Sequence, residues 1–276
     1  MKKILLLLLF PAFTNAQKMS CCTQSTTEQF NTLASTEVFA AAHAAPLPFH
    51  FVEEKGTMIT YDCADGMKGN AFEVKSAKAS NIWLFVFHEW WGLNDYIKRE
   101  VEKLSDELPN VNIIAIDLYD GKVAETPEVA QETMQALKDE RARAIINGAF
   151  KHTGKKTKIG TIGWCFGGGW SMQASLMAGK QAIACVMYYG MPEEDIKKLK
   201  KLNTDVLGIF ASNDKWISPE VVATFKKNML AADKKLTIKS YKTDHAFANP
   251  SNPNYDKVSA DNAHKVALSF LKIRMK

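Results

Sequence analysis

The feature that most constrains this chain is a short glycine-rich stretch that directly follows an apolar segment. The apolar run 158–162 leads into residues 163–169 (GWCFGGG), and a helix-like segment follows over 170–177. A cysteine with glycine two residues before and two after it, between a strand and a helix, is typical of a strained turn that presents a nucleophile. The N-terminus of the following helix favours the thiolate form of Cys165. The alternative is a buried structural cysteine in a glycine-bearing turn.

The first residues of the chain are typical of an export signal. Lys2 and Lys3 precede the apolar segment 4–10, and small residues stand before Gln17, so we predict a signal peptide over 1–16. The longer stretch 4–13 is interrupted by Pro11 and is shorter than the roughly 20 residues that span a bilayer. We therefore expect export to the periplasm of a Gram-negative bacterium and no membrane span after processing. Secretion and lipid attachment are the alternatives.

Composition narrows the class of protein further. The chain has 276 residues and a net charge of +5, with its lysines and arginines scattered, so we expect no nucleic-acid partner. The part beyond the signal is long enough for one large domain. Five cysteines remain there, and an odd number leaves at least one thiol unpaired. Their pairing stays open, as does the oligomeric state; the five are Cys21, Cys22, Cys63, Cys165 and Cys185.

Strand-like and helix-like segments alternate along most of the chain. This alternation predicts an α/β fold with a mostly parallel sheet and helices on both faces, over residues 49–276, behind an N-terminal arm over 17–48 with a helical turn near 37–42. The predicted strands are an edge hairpin (58–63 and 71–74), then 82–87, 111–116, 158–162, 183–188, 206–211 and 236–241. The predicted helices are 94–108, capped by Asn94, 127–152 with a possible break at Gly148, 170–177, 219–230 and 255–272.

Polar residues follow several of the predicted strands. Because reactive groups collect at the carboxyl ends of parallel strands, Cys165, Asp214 and His245 are expected to meet there. Their order along the chain (nucleophile, acid, histidine) is that of an α/β-hydrolase triad. Asp214 could instead cap a turn. Asp244 competes for the acid role, but it adjoins His245 in sequence and is poorly placed to meet the far ring nitrogen.

A second polar segment, residues 88–92 (HEWWG), follows the strand 82–87. It partly matches a zinc-protease motif, but Gly92 stands where that motif needs its second histidine. We therefore expect no metal there.

Together these segments resemble the dienelactone hydrolase family of α/β-hydrolases. The matching residues are 88–94 (HEWWGLN), 117–119 (DLY), 163–168 (GWCFGG), 188–190 (YYG), Asp214 and 245–247 (HAF), within 58–272. The resemblance implies hydrolysis of a small carboxylic ester or lactone through an acyl-cysteine, with no metal or organic cofactor.

The resemblance also implies roles for further residues. A glutamate at the position of Glu89 contacts the resting thiol and takes its proton when substrate binds. The backbone N–H groups of Phe166 and Trp90 would form the oxyanion hole. Trp91 and Tyr119 are assigned to the substrate pocket together with Asn249.

The chain departs from the family where the substrate's carboxylate would bind. The family uses arginines, but Asn249 stands at one of those positions and only Lys122 is near the other. A desolvated carboxylate needs a fixed partner, so we do not expect an anionic dienelactone as substrate. A non-catalytic binding module is the alternative function; a redox protein is less favoured because the chain lacks a C-x-x-C motif.

Overall fold

A computed structural model of the protein describes residues 25–276. The predicted signal peptide (1–16), Cys21 and Cys22 lie outside the described residues. The division at residue 48 between arm and domain stays a prediction.

Within residues 25–276, one eight-stranded sheet has the order β1-β2-β4-β3-β5-β6-β7-β8. The pairs β1–β2 and β2–β4 are antiparallel, and all other pairs are parallel, so the predicted α/β architecture and edge hairpin are confirmed. The strands are β1 (Thr57–Asp62), β2 (Lys68–Val74), β3 (Ile82–Phe87), β4 (Asn112–Asp117), β5 (Lys158–Trp164), β6 (Ala182–Tyr188), β7 (Val206–Ala211) and β8 (Leu236–Tyr241).

Most helix starts carry the caps that the sequence indicates. Asn94 accepts a hydrogen bond from the Ile97 N–H at the start of α3, as predicted, and Ser218 caps α8 in the same way. The helices are α1 (Thr26–Ala34), α2 (Glu37–Ala41), α3 (Asp95–Glu107), α4 (Pro127–Ala136), α5 (Asp139–Thr153), α6 (Phe166–Ala178), α7 (Ile196–Leu199), α8 (Pro219–Ala231) and α9 (Lys257–Arg274). Among them none is long and apolar enough to cross a bilayer.

The predicted break at Gly148 is wrong. The helical stretch divides at Leu137, whose backbone is extended (φ −68°, ψ 126°), and Gly148 lies inside α5. A Cβ at Gly148 would stand 2.9 Å from the Asp62 carbonyl oxygen and 2.9 Å from the Tyr61 ring. Glycine is present there because α5 packs closely on β1, not because the helix ends.

Residues 25–48 of the N-terminal arm contain more helix than their sequence indicates. A helix, α2, occupies the place of the predicted turn, but α1 was not predicted. Phe30 packs on Phe166 with ring centroids 5.3 Å apart, and Phe39 packs edge-on against Trp90 at 5.2 Å. The arm therefore docks on the carboxyl ends of the central strands, where the candidate site lies.

Candidate active site

Cys165 stands at the tip of a strained turn between β5 and α6. Its backbone lies at φ 55°, ψ −119°, a conformation that L-residues rarely adopt. A Cβ on Gly163 would fall 2.0 Å from the Gly167 carbonyl oxygen, and one on Gly167 would fall 2.2 Å from that of Phe87. Both glycines are therefore required by the close approach of backbone to backbone.

The structure brings Cys165, His245 and Asp214 into one chain of contacts. His245 Nε2 lies 3.2 Å from Cys165 Sγ, and His245 Nδ1 lies 2.6 Å from Asp214 Oδ2. The second carboxylate oxygen, Oδ1, accepts the backbone N–H groups of Trp216 (2.8 Å) and Ile217 (2.9 Å). The two roles considered for Asp214 thus coexist: one oxygen caps a turn and the other faces the imidazole.

Glu89 lies buried at the end of β3, close to this chain of contacts. The Tyr189 hydroxyl donates to its Oε1 at 3.2 Å, and the Asn249 side-chain amide donates to Oε2. Burial raises the pKa of Glu89 to about 7, although His245 and the two hydrogen bonds act in the opposite direction. The carboxyl group can therefore gain and lose a proton near neutral pH.

The resting sulfur is a neutral thiol. Burial raises the pKa of Cys165, and the nearby Glu89 carboxylate acts in the same direction. His245 and the N–H of Phe166 lower that pKa but do not outweigh burial. The expected bias toward thiolate from the helix N-terminus is therefore present, but burial outweighs it in the resting site.

His245 has the opposite tendency. Burial alone would lower the pKa of its imidazole, but the buried Asp214 carboxylate outweighs burial and raises it. The imidazole is therefore a stronger base than a free histidine side chain.

The two predicted oxyanion donors are placed differently. The Phe166 N–H already donates to the Cys165 sulfur. The Trp90 N–H donates no backbone hydrogen bond to any residue from 25 to 276. One amide therefore contacts the nucleophile, and the other is available to a ligand.

The arm covers the nucleophile. Cys165 is 1% exposed and His245 3% exposed. The ring of His43, directly after α2, lies 5.4 Å from that of His245, and the Trp216 ring lies 5.5 Å from it. His43 was not predicted as a site residue because it follows no strand; the short apolar pattern of α2 is the signal in the sequence that points to it.

Of the three residues predicted to line the pocket, two lie together. Trp91 and Asn249 border a cavity of about 280 Å³ beside Glu89, whose outer wall includes Arg99 and Lys103 of α3. Tyr119 lies elsewhere: it stacks on Phe166 at 5.8 Å and borders a second cavity.

The described residues also include a group able to ligate a metal ion. One ring nitrogen each of His43 and His245 and the Cys165 sulfur lie within 4.8 Å of one another.

Comparison with known proteins decides the family. The model of the dienelactone hydrolase family matches residues 68–274. The chain belongs to that family. It is accordingly a hydrolase, as the sequence analysis predicted.

Individual relatives are distant in sequence but cover most of the chain. A protein of Aquifex aeolicus, named provisionally as a carboxymethylenebutenolidase, is 24% identical over 234 residues, which are 80% of this chain and 100% of the relative. The dienelactone hydrolase of Anabaena variabilis has a TM-score of 0.58 at 18% identity, covering 80% of this chain and 99% of its own. A dienelactone hydrolase-like promiscuous phosphotriesterase from metagenomic libraries has a TM-score of 0.69 at 18% identity, with coverages of 81% and 100%. The structural likenesses show a shared fold.

Proposed function

We propose that this chain hydrolyses a small carboxylic ester or lactone through an acyl-cysteine intermediate on Cys165. The observation that carries the proposal is the unbroken contact from Asp214 through His245 to a cysteine at the tip of a strained strand-to-helix turn. This is the arrangement that nucleophilic catalysis requires: a nucleophile beside a base, with the base oriented by a third group.

The first half of the reaction forms the acyl-enzyme. The family resemblance implies that the thiol proton of Cys165 moves to the Glu89 carboxylate as substrate enters, and the raised pKa of Glu89 suits that role. The sulfur forms a bond to the acyl carbon, and the developing oxyanion is stabilised by the N–H groups of Phe166 and Trp90. Loss of one such donor typically costs about 3 kcal/mol. The C–O bond then breaks, and the leaving oxygen takes up the proton that Glu89 holds.

The second half releases the product. His245 accepts a proton from water, and the resulting hydroxide attacks the acyl carbon. The carbon–sulfur bond breaks, and the sulfur regains its proton from His245. Asp214 holds the imidazole in one tautomer throughout, because its Oδ2 accepts the Nδ1–H.

The wall of the cavity beside Glu89 supports an uncharged substrate. Asn249 is uncharged, and its side-chain amide already donates to the Glu89 carboxylate, so it is a poor partner for a substrate anion. Arg99 and Lys103 border the same cavity with the acidic Glu100 and Asp261. A neutral ester, lactone or thioester fits this mixed wall better than an anionic one.

The buried position of the nucleophile favours one second candidate, a non-catalytic binding module. Cys165 is 1% exposed with the arm in place. Turnover therefore requires the arm to move aside, whereas a module that has lost its activity does not.

Assays on p-nitrophenyl acetate and a panel of neutral esters and lactones test the proposal. Cys165→Ala should lose at least a thousandfold in kcat/KM, as expected when a nucleophile is removed. Cys185→Ala is the matched control, because Cys185 is also a buried free thiol but lies in β6. Full activity in Cys165→Ala would refute the proposal, and no turnover of any panel member by the wild type would favour the binding module.

We also propose export of the chain to the periplasm, supported by the signal pattern over 1–16. Fractionation of expressing cells, with N-terminal sequencing of the mature protein, would test it. Full-length protein in the cytoplasm would contradict it.

A further inference from the structure

His43 has a fixed tautomer with one nitrogen unused. Its Nδ1 lies 2.7 Å from the Phe39 carbonyl oxygen, which only accepts, so Nδ1 carries the hydrogen and Nε2 carries a lone pair. The ring is 2% exposed, and Nε2 has no hydrogen-bond partner among residues 25–276. An unpartnered buried nitrogen is costly unless it serves a ligand.

The surroundings of the His43 ring supply two further candidate ligands. One ring nitrogen each of His43 and His245 and the Cys165 sulfur lie within 4.8 Å of one another. Tetrahedral zinc needs its nitrogen and sulfur ligands about 3.4–3.6 Å apart, given bonds of about 2.0–2.3 Å. The observed 3.2 Å between His245 Nε2 and Cys165 Sγ is close to that spacing. The remaining separations are at most 4.8 Å and need to close by about 1.4 Å at most.

Both imidazoles are already held as zinc-binding histidines usually are. Such a histidine donates its second ring N–H to a backbone carbonyl or a carboxylate, which fixes the tautomer and the ring orientation. His43 makes this bond to Phe39, and His245 makes it to Asp214. Two neutral imidazoles and one thiolate form a ligand set that suits Zn²⁺, with a fourth position left for water.

We propose that His43, Cys165 and His245 form a binding site for Zn²⁺, in which the ion joins the N-terminal arm to the candidate catalytic residues. A zinc ion bound here occupies the Cys165 sulfur and the His245 lone pair, so neither can take part in hydrolysis. The ion therefore acts as a reversible inhibitor and not as a cofactor. The inhibition, unlike the binding, rests on the proposed function.

The site depends on a segment outside the family match. His43 precedes residues 68–274, which the family model matches, so the third ligand belongs to the arm of this chain. Because Cys165 is 1% exposed, zinc enters only while the arm is lifted, and binding then holds the arm down. The neutral thiol gives up its proton to solvent when the sulfur binds zinc, so binding weakens as the pH falls.

Calorimetric titration of the reduced, full mature protein with Zn²⁺ tests the site. The wild type should bind one ion per chain at this site, with release of a proton. His43→Ala and the less disruptive His43→Gln should each weaken zinc binding at least tenfold. Even the loss of a residue that only hydrogen-bonds to a metal ligand typically lowers metal affinity by about 10–100-fold. His50→Ala is the matched control: His50 is 86% exposed in the same region and should leave zinc affinity unchanged.

A spectroscopic titration checks the sulfur independently of activity. Co²⁺ bound at this site should give a thiolate-to-cobalt charge-transfer band in the wild type, and Cys165→Ser should abolish it. Wild-type affinity for Zn²⁺ in both His43 variants would overturn the proposal, as would a cobalt band that survives in Cys165→Ser or the absence of zinc binding.

Ester hydrolysis then separates the two proposals. Zinc should inhibit the wild type, a chelator should restore its activity, and the inhibition constant should rise at least tenfold in His43→Gln when each variant is compared with its own zinc-free rate. If the wild type binds zinc through these three side chains but hydrolyses no ester, the proposed function fails and the zinc site stands. If hydrolysis depends on Cys165 but zinc affinity is unchanged in the His43 variants, the zinc site fails and the proposed function stands.

Discussion

Two buried carboxyl groups flank His245, and their surroundings push their proton affinities in opposite directions. Burial would raise the pKa of Asp214, but His245 and the N–H groups of Trp216 and Ile217 lower it below its usual value. Burial dominates at Glu89 and raises its pKa to about 7. Asp214 therefore stays ionised beside the imidazole, whereas Glu89 can exchange a proton, and such a division is characteristic of acid–base sites.

Glu89→Gln should stabilise the protein at alkaline pH. A carboxyl whose folded pKa is raised from 4.5 to about 7 contributes most stability below pH 4.5 and loses it as the pH rises through 7. The contribution of Glu89 to the free energy of unfolding therefore falls by about 3 kcal/mol between these two pH ranges, at 1.36 kcal/mol per pKa unit. The variant should therefore gain melting temperature at pH 8 and little at pH 4, as measured by thermal denaturation. An equal shift at both pH values would contradict this account of Glu89.

Asp214→Asn should destabilise the protein at alkaline pH, the opposite of the effect expected for Glu89→Gln. The lowered pKa of Asp214 means that its stabilisation is present above pH 3.8 and is lost as the pH falls through the lowered value. The variant should thus be less stable than the wild type at pH 8 and approach it in acid. Thermal melts across the same pH range measure this, and a variant as stable as the wild type at pH 8 would argue against the Asp214–His245 contact.

At the scale of single elements, the turn between β5 and α6 determines where the nucleophile stands. Backbone carbonyls approach Gly163 and Gly167 so closely that any side chain there displaces the turn. The tip residue, Cys165, carries the strained φ of 55°. Packing of α6 against β5 and β6 offsets the cost of that strain and holds Cys165 in this conformation.

Gly163→Ala should destabilise the protein strongly. Its Cβ would stand 2.0 Å from the Gly167 carbonyl oxygen, so the turn must move, and we expect a loss above about 3 kcal/mol in chemical denaturation. Gly66→Ala is the control: Gly66 has a φ of +82° but nothing within 4 Å of a Cβ, so strain alone should cost about 1–2 kcal/mol. Similar losses for the two variants would mean that close approach does not explain Gly163.

Phe39→Ala should expose the buried thiol. Phe39 is fully buried and packs between Trp90 and Trp216, so its loss removes the main anchor of α2, and truncating a buried phenylalanine costs about 3–5 kcal/mol. Cys165 should then react faster with a thiol reagent, as followed by peptide mapping. Val38→Ala, in the same helix but 68% exposed, should leave the rate unchanged. Equal rates in all three proteins would show that the arm does not limit access.

At the scale of the whole molecule, the sheet and the meeting of Cys165, Asp214 and His245 could be predicted from sequence. Buried strands are continuous apolar runs, and parallel strands bring their carboxyl ends to one edge, so the residues after three strands had to meet there. Distances and proton affinities could not be predicted, because they depend on burial and on neighbours such as Tyr189.

The arm could not be predicted for a related reason. The helix α1 and the docking of Phe39 and His43 depend on tertiary contacts with Trp90 and Phe166, which short segments of weak periodicity do not reveal. The division at Leu137 was likewise hidden, because a leucine with an extended backbone carries no turn signature.

Acid trapping of the acyl-enzyme shows directly whether Cys165 carries the acyl group. Reduced wild-type protein is quenched in acid during turnover of p-nitrophenyl acetate, and its intact mass and peptide map are determined, with Cys165→Ala treated in parallel. We predict that the wild type gains the mass of one acetyl group on the peptide containing Cys165, and that the variant gains none and does not turn over. Acetylation at another residue, with turnover undiminished in Cys165→Ala, would contradict the acyl-cysteine mechanism.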